Sequence, residues 1–125
     1  MSSAAFLFLL TGVLLNAAAQ LLLKAGTNRL GVVTLAPDTF AATLTRIAAE
    51  GHVVGGLALY GISVLVWIAG LSRVPVSVAY PMLSLGYIVN ALAAQYLFGE
   101  AVTMQRWMGI GFIIVGVWLV ARSAS

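Results

Sequence analysis

The sequence contains no cysteine, one histidine and three acidic residues, Asp38, Glu50 and Glu100, in 125 residues. Without thiols there is neither a disulfide framework nor thiolate metal ligation. One imidazole and three scattered carboxylates do not assemble into a protein metal site. Charge of either sign is scarce, at 7% of residues against 62% hydrophobic. A chain with so little polar surface cannot cover a soluble domain, and it reads as an integral membrane protein. No nucleophile, base and orienting group occur as a set, so the chain is not expected to be an enzyme. No cofactor and no nucleic-acid partner are expected.

What is present is long apolar runs. Stretches 4–23, 53–71 and 74–98 reach the roughly 17 to 25 residues that a spanning helix needs, and a shorter one, 107–121, does so when 104–106 extend it to 104–121. The expected fold is an all-α membrane protein, one four-helix transmembrane unit over 1–125. All three acids fall outside the spans, which leaves the hydrocarbon layer free of formal negative charge. Residues 5–15 followed by Ala17-Ala18-Ala19 have the outline of a cleavable signal peptide. The leading segment has no Lys or Arg, however, and the apolar run continues to Lys24, so a retained span is the expected reading.

The first span carries Asn16, Gln20 and Lys24 at four-residue spacing. At about 100° per residue each step drifts by about 40°, so the three form one polar stripe on an otherwise lipid-compatible helix. Polar groups in hydrocarbon are costly and mark paths or binding sites. In the second span Tyr60, Ser63 and Trp67 share a face. In the third, Tyr80, Ser84, Tyr87, Ala91 and Gln95 follow helical spacing. For any single Ser or Tyr a hydrogen bond within or between helices is the plain explanation; three converging stripes predict a cavity.

Pro75 opens the third span at no cost, but Pro81 lies inside it and removes a hydrogen bond, with Gly86 five residues on. A bend or hinge is expected there, static or moving. In the fourth span Gly109 and Gly116 lie seven apart, a small-residue seam suited to close helix approach and, with only four helices per chain, to dimerisation. The segment about 38–50 reads as an amphipathic surface helix beginning at Pro37-Asp38. Phe40, Leu44 and Ile47 share one face, and Arg46 and Glu50 sit four apart on the other. Thr103 reads as a helix cap and Glu100 beside it as structural. Lys24, Arg29, Arg46 and Arg106 lie on one side of the membrane against Arg73 and Arg122 on the other, which leans toward a cytoplasmic first loop.

The segment VPVSVAYPMLSLGYIVNALAAQYLFGEAVT, followed by QRWMGIGFIIVGVWLV, resembles the second half of a four-helix member of the drug/metabolite transporter superfamily, the EamA-like and small multidrug resistance-like proteins. Within it, the likeness is greatest to ArnE/ArnF-type subunits of the aminoarabinose undecaprenyl-phosphate flippase. VAYPMLSL is the most specific match, supported by NAAAQLLLKAG in the first span. The resemblance covers nearly the whole chain; over 26–52 only length and polarity match. It implies a multi-pass inner-membrane transporter acting in lipopolysaccharide modification. The implied ligands are membrane lipids and a lipid-linked sugar, and the implied assembly is a homodimer or a heterodimer with a paralogous subunit.

The small exporters to which those subunits are similar have a Lys ending the first helix, a Tyr in the third and a Gly-x6-Gly dimer seam in the fourth. Lys24, Tyr80, Gly109 and Gly116 match these. The exporters also need a membrane-embedded glutamate in the first helix, where this chain has Asn16. Asn neither titrates nor balances a cation in low dielectric, so proton-coupled export of cations is disfavoured. Lys24 suits an anionic phosphate, and Asn16 and Gln20 suit sugar hydroxyls or an amino sugar. The expected substrate-binding set is Asn16, Gln20, Lys24, Tyr60, Trp67, Tyr80, Ser84 and Tyr87, with Pro81 and Gly86 as a hinge for alternating access. An exporter of small cations or drugs, and a non-transporting helper subunit of a membrane glycosyltransferase, are the alternatives.

Overall fold

The computed structural model describes residues 2–123, so residues 1, 124 and 125 of the expected unit lie outside the described residues. Every regular element among the described residues is helical. The elements run α1 (Ser3–Leu30), α2 (Phe40–Ala49), α3 (Gly51–Leu71), α4 (Val76–Met82), a 3-10 turn (Leu83–Leu85), α5 (Gly86–Leu97) and α6 (Met104–Ser123). Four helical spans are long and apolar enough to cross a membrane, with α4, the 3-10 turn and α5 together forming the third. The short α2 lies between the first two.

The Ser2 side chain caps α1 by accepting the Ala5 N–H at 3.1 Å. The helix then runs to Leu30 and stops at Gly31, whose φ of 81° is open to glycine and whose N–H closes on the Thr27 carbonyl. It therefore outlasts the expected end at residue 23 by seven residues. No proline interrupts 24–30, and polar side chains need no apolar layer to stay helical. At 1.5 Å per residue, 28 residues span about 42 Å, which carries the last turns beyond a hydrocarbon core of roughly 30 Å.

The α1–α3 pair is the spine of the bundle, packed along its length. Both helices place small residues at seven-residue spacing on the contact face: Ala5, Gly12, Ala19 and Gly26 on α1, and Gly56, Ser63 and Gly70 on α3, all buried. Seven residues are nearly two turns, so each series stays on one side of its helix. A Cβ on Gly26 would lie 2.5 Å from Val53 Cγ2 and 3.1 Å from the Val53 nitrogen, and one on Gly56 3.0 Å from the Ala19 carbonyl oxygen. Between lipid-soaked helices no hydrophobic force drives association, so this close backbone approach and its dispersion contacts are what hold the pair.

The remaining helices pack unevenly. Leu9, Val13, Trp67, Ala79, Met82 and Val117 form the buried core, which sits toward the end of the bundle where α1 begins. There α6 leans on α4 and the 3-10 turn, while toward its own start it splays from α5. Gly99, at φ 67°, ends α5 with the Glu100 N–H on the Ala94 carbonyl, and the Thr103 hydroxyl caps α6 through the Arg106 N–H.

The connection before α3 differs from expectation in two details. Thr39 rather than Asp38 holds the cap position of α2, and it makes no side-chain cap bond. Arg46 does not pair with Glu50. Its guanidinium donates to the Leu30 carbonyl at 2.9 Å, which pins α2 against the end of α1. Glu50 instead caps α3, accepting the His52 N–H at 3.0 Å, meets His52 Nδ1 at 2.8 Å and lies 3.9 Å from Arg29 Nε. Capping an N-terminus satisfies an orphan donor, which a helical i, i+4 pair would not.

These contacts, the His52 N–H first and its ring second, hold the Glu50 carboxyl below its ordinary value. A carboxylate with a depressed folded pKa contributes stability above its unfolded value and loses it as pH falls through the folded one. Glu50→Gln is therefore expected to lower the melting temperature at pH 7 and to make progressively less difference as pH is taken below about 4, near the unperturbed carboxylate value. Melting curves in detergent check this; a pH-independent difference would remove the ionic cap.

Candidate functional site

Near the core, α1, α3 and α4 enclose a cavity of about 280 Å³ that includes Gly12, Asn16, Tyr60, Ser63, Trp67 and Tyr80 in its wall. Gly12 lets α3 close in at one side of it: a Cβ there would lie 3.3 Å from Trp67 Cε3 and 3.4 Å from the Trp67 backbone. Trp67 meets Tyr80 edge to face, ring centroids 5.7 Å apart at 74°, which orients both rings along the wall. Tyr60, Val64, Ile68 and Tyr80 are exposed at the rim, so the cavity opens on the outer side of the bundle, where lipid would lie.

Its polar chemistry is neutral. The Ser63 hydroxyl is spent on the Tyr60 carbonyl at 2.6 Å, the plain intrahelical bond. The Asn16 side chain is half-buried and makes no hydrogen bond to the described residues, leaving an amide donor and acceptor facing the space. No carboxylate and no cation lines it. Such a wall can exchange hydrogen bonds with hydroxyls and amines and cannot bind a proton in competition with a substrate.

Four of the eight expected binding residues, Asn16, Tyr60, Trp67 and Tyr80, line this cavity. The others do not. Gln20 is exposed one turn beyond Asn16. Lys24 lies eight residues, about 12 Å, along α1 from Asn16 and lines a separate surface recess with Thr27, Asn28 and Gly31. Tyr87 faces a groove between α5 and α6, and Ser84 lines neither space. The expected single face from Tyr80 to Gln95 is broken because the 3-10 turn winds about 20° more per residue than an α-helix, rotating α5 by about 60° over three residues. Gly12 and the apolar rim residues were missed from sequence, since nothing in their type distinguishes cavity wall from lipid face.

The expected hinge residues bracket that turn. Pro81 sits inside α4, and Gly86 starts α5 at an ordinary helical φ of −62°. A Cβ on Gly86 would find Val13 Cγ1 at 3.7 Å and Ala17 Cβ at 3.9 Å, ordinary contact distances. Packing therefore does not require glycine there. Gly86→Ala is expected to leave the melting temperature unchanged or raised, by up to about 1 kcal/mol of helix propensity, while slowing any transport that bends the third span. Thermal melting beside a transport rate separates these effects, and unchanged values of both would remove Gly86 from the hinge.

Four helices long and apolar enough to span a membrane, three of which wall a mostly apolar cavity whose polar groups are neutral, fit a small membrane transporter. Residues 47–122 match the EamA-like transporter family, and the chain belongs to that family. It is 36% identical over 110 residues, 86% of either chain, to a protein of Yersinia enterocolitica named probable 4-amino-4-deoxy-L-arabinose-phosphoundecaprenol flippase subunit ArnF. Over 68 residues it is 43% identical to the correspondingly named ArnE subunit of Pseudomonas savastanoi, covering 54% of this chain and 60% of that one. Over 70 residues it is 46% identical to the ArnE subunit of Pseudomonas fluorescens, covering 54% and 61%. The chain thus spans about three-fifths of the length of these ArnE relatives. No solved structure matches it.

Proposed function

We propose that this chain is a subunit of an inner-membrane flippase that moves a polyprenyl-phosphate-linked amino sugar from one leaflet to the other. The observation that carries the reading is the carboxylate-free cavity centred on Asn16, open on the lipid side of the bundle. A lipid tail stays in the bilayer while the sugar exchanges water for Asn16, Tyr60 and Tyr80, so the costly step of desolvating hydroxyls is offset by fixed partners. Lys24, at membrane-surface level, draws the phosphate toward the bundle, and bending at Pro81 and Gly86 alternates the access. A cation exporter needs an acid in the cavity, and none lines it.

The subunit works as a pair, with itself or with a paralogue. Gly109 and Gly116 on α6 have open space where a Cβ would point. They repeat the seven-residue spacing that joins α1 to α3, and only Val117 of α6 is buried within the chain. A second α6 against these glycines would bury a helix that otherwise faces lipid on most sides.

Reconstitution tests the reading. Vesicles containing the protein, with its paralogue where one is required, are expected to expose an inner-leaflet amino-sugar lipid to a membrane-impermeant amine reagent faster than empty vesicles do. Uptake of a cationic dye driven by a pH gradient, with no lipid movement, would instead establish the exporter reading.

A further inference from the structure

The cavity around Asn16 occupies only the half of the bundle nearest the start of α1. In the opposite half, where α6 splays from α5, a groove of about 470 Å³ is lined by apolar side chains and four polar ones, Tyr87, Asn90, Glu100 and Arg106. The 3-10 turn at Leu83–Leu85 lies between the two spaces. One feature of the groove has no structural explanation. Asn90 Oδ1 is buried without a hydrogen-bond partner, at a cost that a membrane interior makes worse. Turning the amide over would replace one orphan acceptor by two orphan donors.

Glu100 and Arg106, both exposed, line the same groove and form no ion pair among the described residues. Glu100 makes no cap, because Thr103 does that, and its carboxylate has no partner among the described residues. Arg106 stands in the first turn of α6, where the helix dipole disfavours a cation, and its one contact is a 3.4 Å bond to the Ala101 carbonyl. A buried orphan acceptor in the same cleft as an exposed acid and an exposed base that do not pair points to a ligand carrying both charges.

We propose that the α5–α6 groove is a second station for the transported head group, on the side of the 3-10 turn opposite the Asn16 cavity. This rests on the flippase reading. The ligand chemistry is a phosphate ester bearing an ammonium: Arg106 takes the phosphate, Glu100 the ammonium, and Asn90 Oδ1 accepts from a sugar hydroxyl. An unpaired acid and base held apart in one groove match a zwitterion better than either charge alone. The two stations give the head group polar partners in both halves of the membrane, and the turn between them is the barrier it passes. Phosphatidylethanolamine carries the same pair of charges, so the test must separate the two sources.

The test is binding to the full chain, with its paralogue where required, in phosphatidylcholine nanodiscs. The ligands are undecaprenyl-phosphate aminoarabinose, its N-acetylated form and phosphatidylethanolamine. Wild type is expected to prefer the free amine over the N-acetyl form by about tenfold, roughly 1.4 kcal/mol. Glu100→Gln should erase that preference, and Arg106→Gln should weaken both sugar lipids about tenfold. Asn90→Leu should bind more weakly yet melt at a higher temperature, since it removes a buried orphan, a combination that a purely structural role would not give. If Glu100→Gln keeps the amine preference while Asn16→Leu still slows transport, the second station is wrong and the flippase reading stands. If phosphatidylethanolamine binds in the Glu100-dependent manner and the sugar lipids do not, the groove holds bulk lipid and the assignment fails. If no sugar lipid binds wild type at all, both readings fall.

Discussion

Gly26→Leu and Gly56→Leu are expected to unfold the bundle several degrees earlier than wild type, whereas Gly55→Leu and Gly61→Leu on α3 should not. The contrast follows from what a side chain would meet. At Gly26 and Gly56 the obstacles include backbone, the Val53 nitrogen at 3.1 Å and the Ala19 carbonyl oxygen at 3.0 Å, which cannot swing aside as a rotamer can. Overfilling such a contact costs about 1–3 kcal/mol, and more where two helix axes must separate. At Gly55 and Gly61 there is open space, and leucine adds up to about 1 kcal/mol of helix propensity. Thermal melting of the four variants in one detergent reads the result. Equal effects at all four positions would mean that α1 and α3 are not held by close approach.

The second large effect is expected at Asn16. Replacement by leucine keeps the branched side-chain shape and removes the one free amide in the cavity, so a sugar hydroxyl arriving there loses a partner. A lost hydrogen bond of about 1–2.8 kcal/mol in the rate-determining state slows transport by about 5- to 100-fold. Asn16→Asp keeps the shape and adds a negative charge, which the sugar's ammonium can meet but which the phosphate behind it must then pass. Two like charges about 5 Å apart at an effective dielectric near 20 repel by on the order of 3 kcal/mol, so aspartate should be worse than leucine, by a further factor of about 100. A cation transporter would show the reverse order. The order of these variants, more than the size of either loss, carries the information.

The four apolar helices, the short helix between the first two and the interrupted third span were legible because long apolar runs, amphipathic spacing and internal proline act locally. Where α1 ends was less so, since residues 24–30 are polar but carry no breaker before Gly31. The α1–α3 seam was written in the sequence as Ala5, Gly12, Ala19, Gly26 and Gly56, Ser63, Gly70. It is less visible than Gly109 and Gly116 because Ala and Ser take the place of glycine at several of its positions. The polar stripe on α1 was legible as a stripe, but not the fact that its members serve different spaces. Helical spacing fixes direction, and about 12 Å of rise separates Asn16 from Lys24 whatever the spacing. Tyr87 faces a different space for another reason: three residues of 3-10 winding rotate everything after them, and sequence periodicity assumes one helix type throughout.

The central claim is that a phosphate-bearing sugar lipid crosses through the Asn16 cavity. Its most direct test is the initial rate at which undecaprenyl-phosphate aminoarabinose changes leaflet in sealed vesicles containing the wild type, Asn16→Leu or Asn16→Asp, each at equal protein density and with the paralogous subunit where required. The predicted result is transport by the wild type, slower transport by the leucine variant and least by the aspartate variant. Equal rates for all three, or an aspartate variant as fast as wild type, would contradict it.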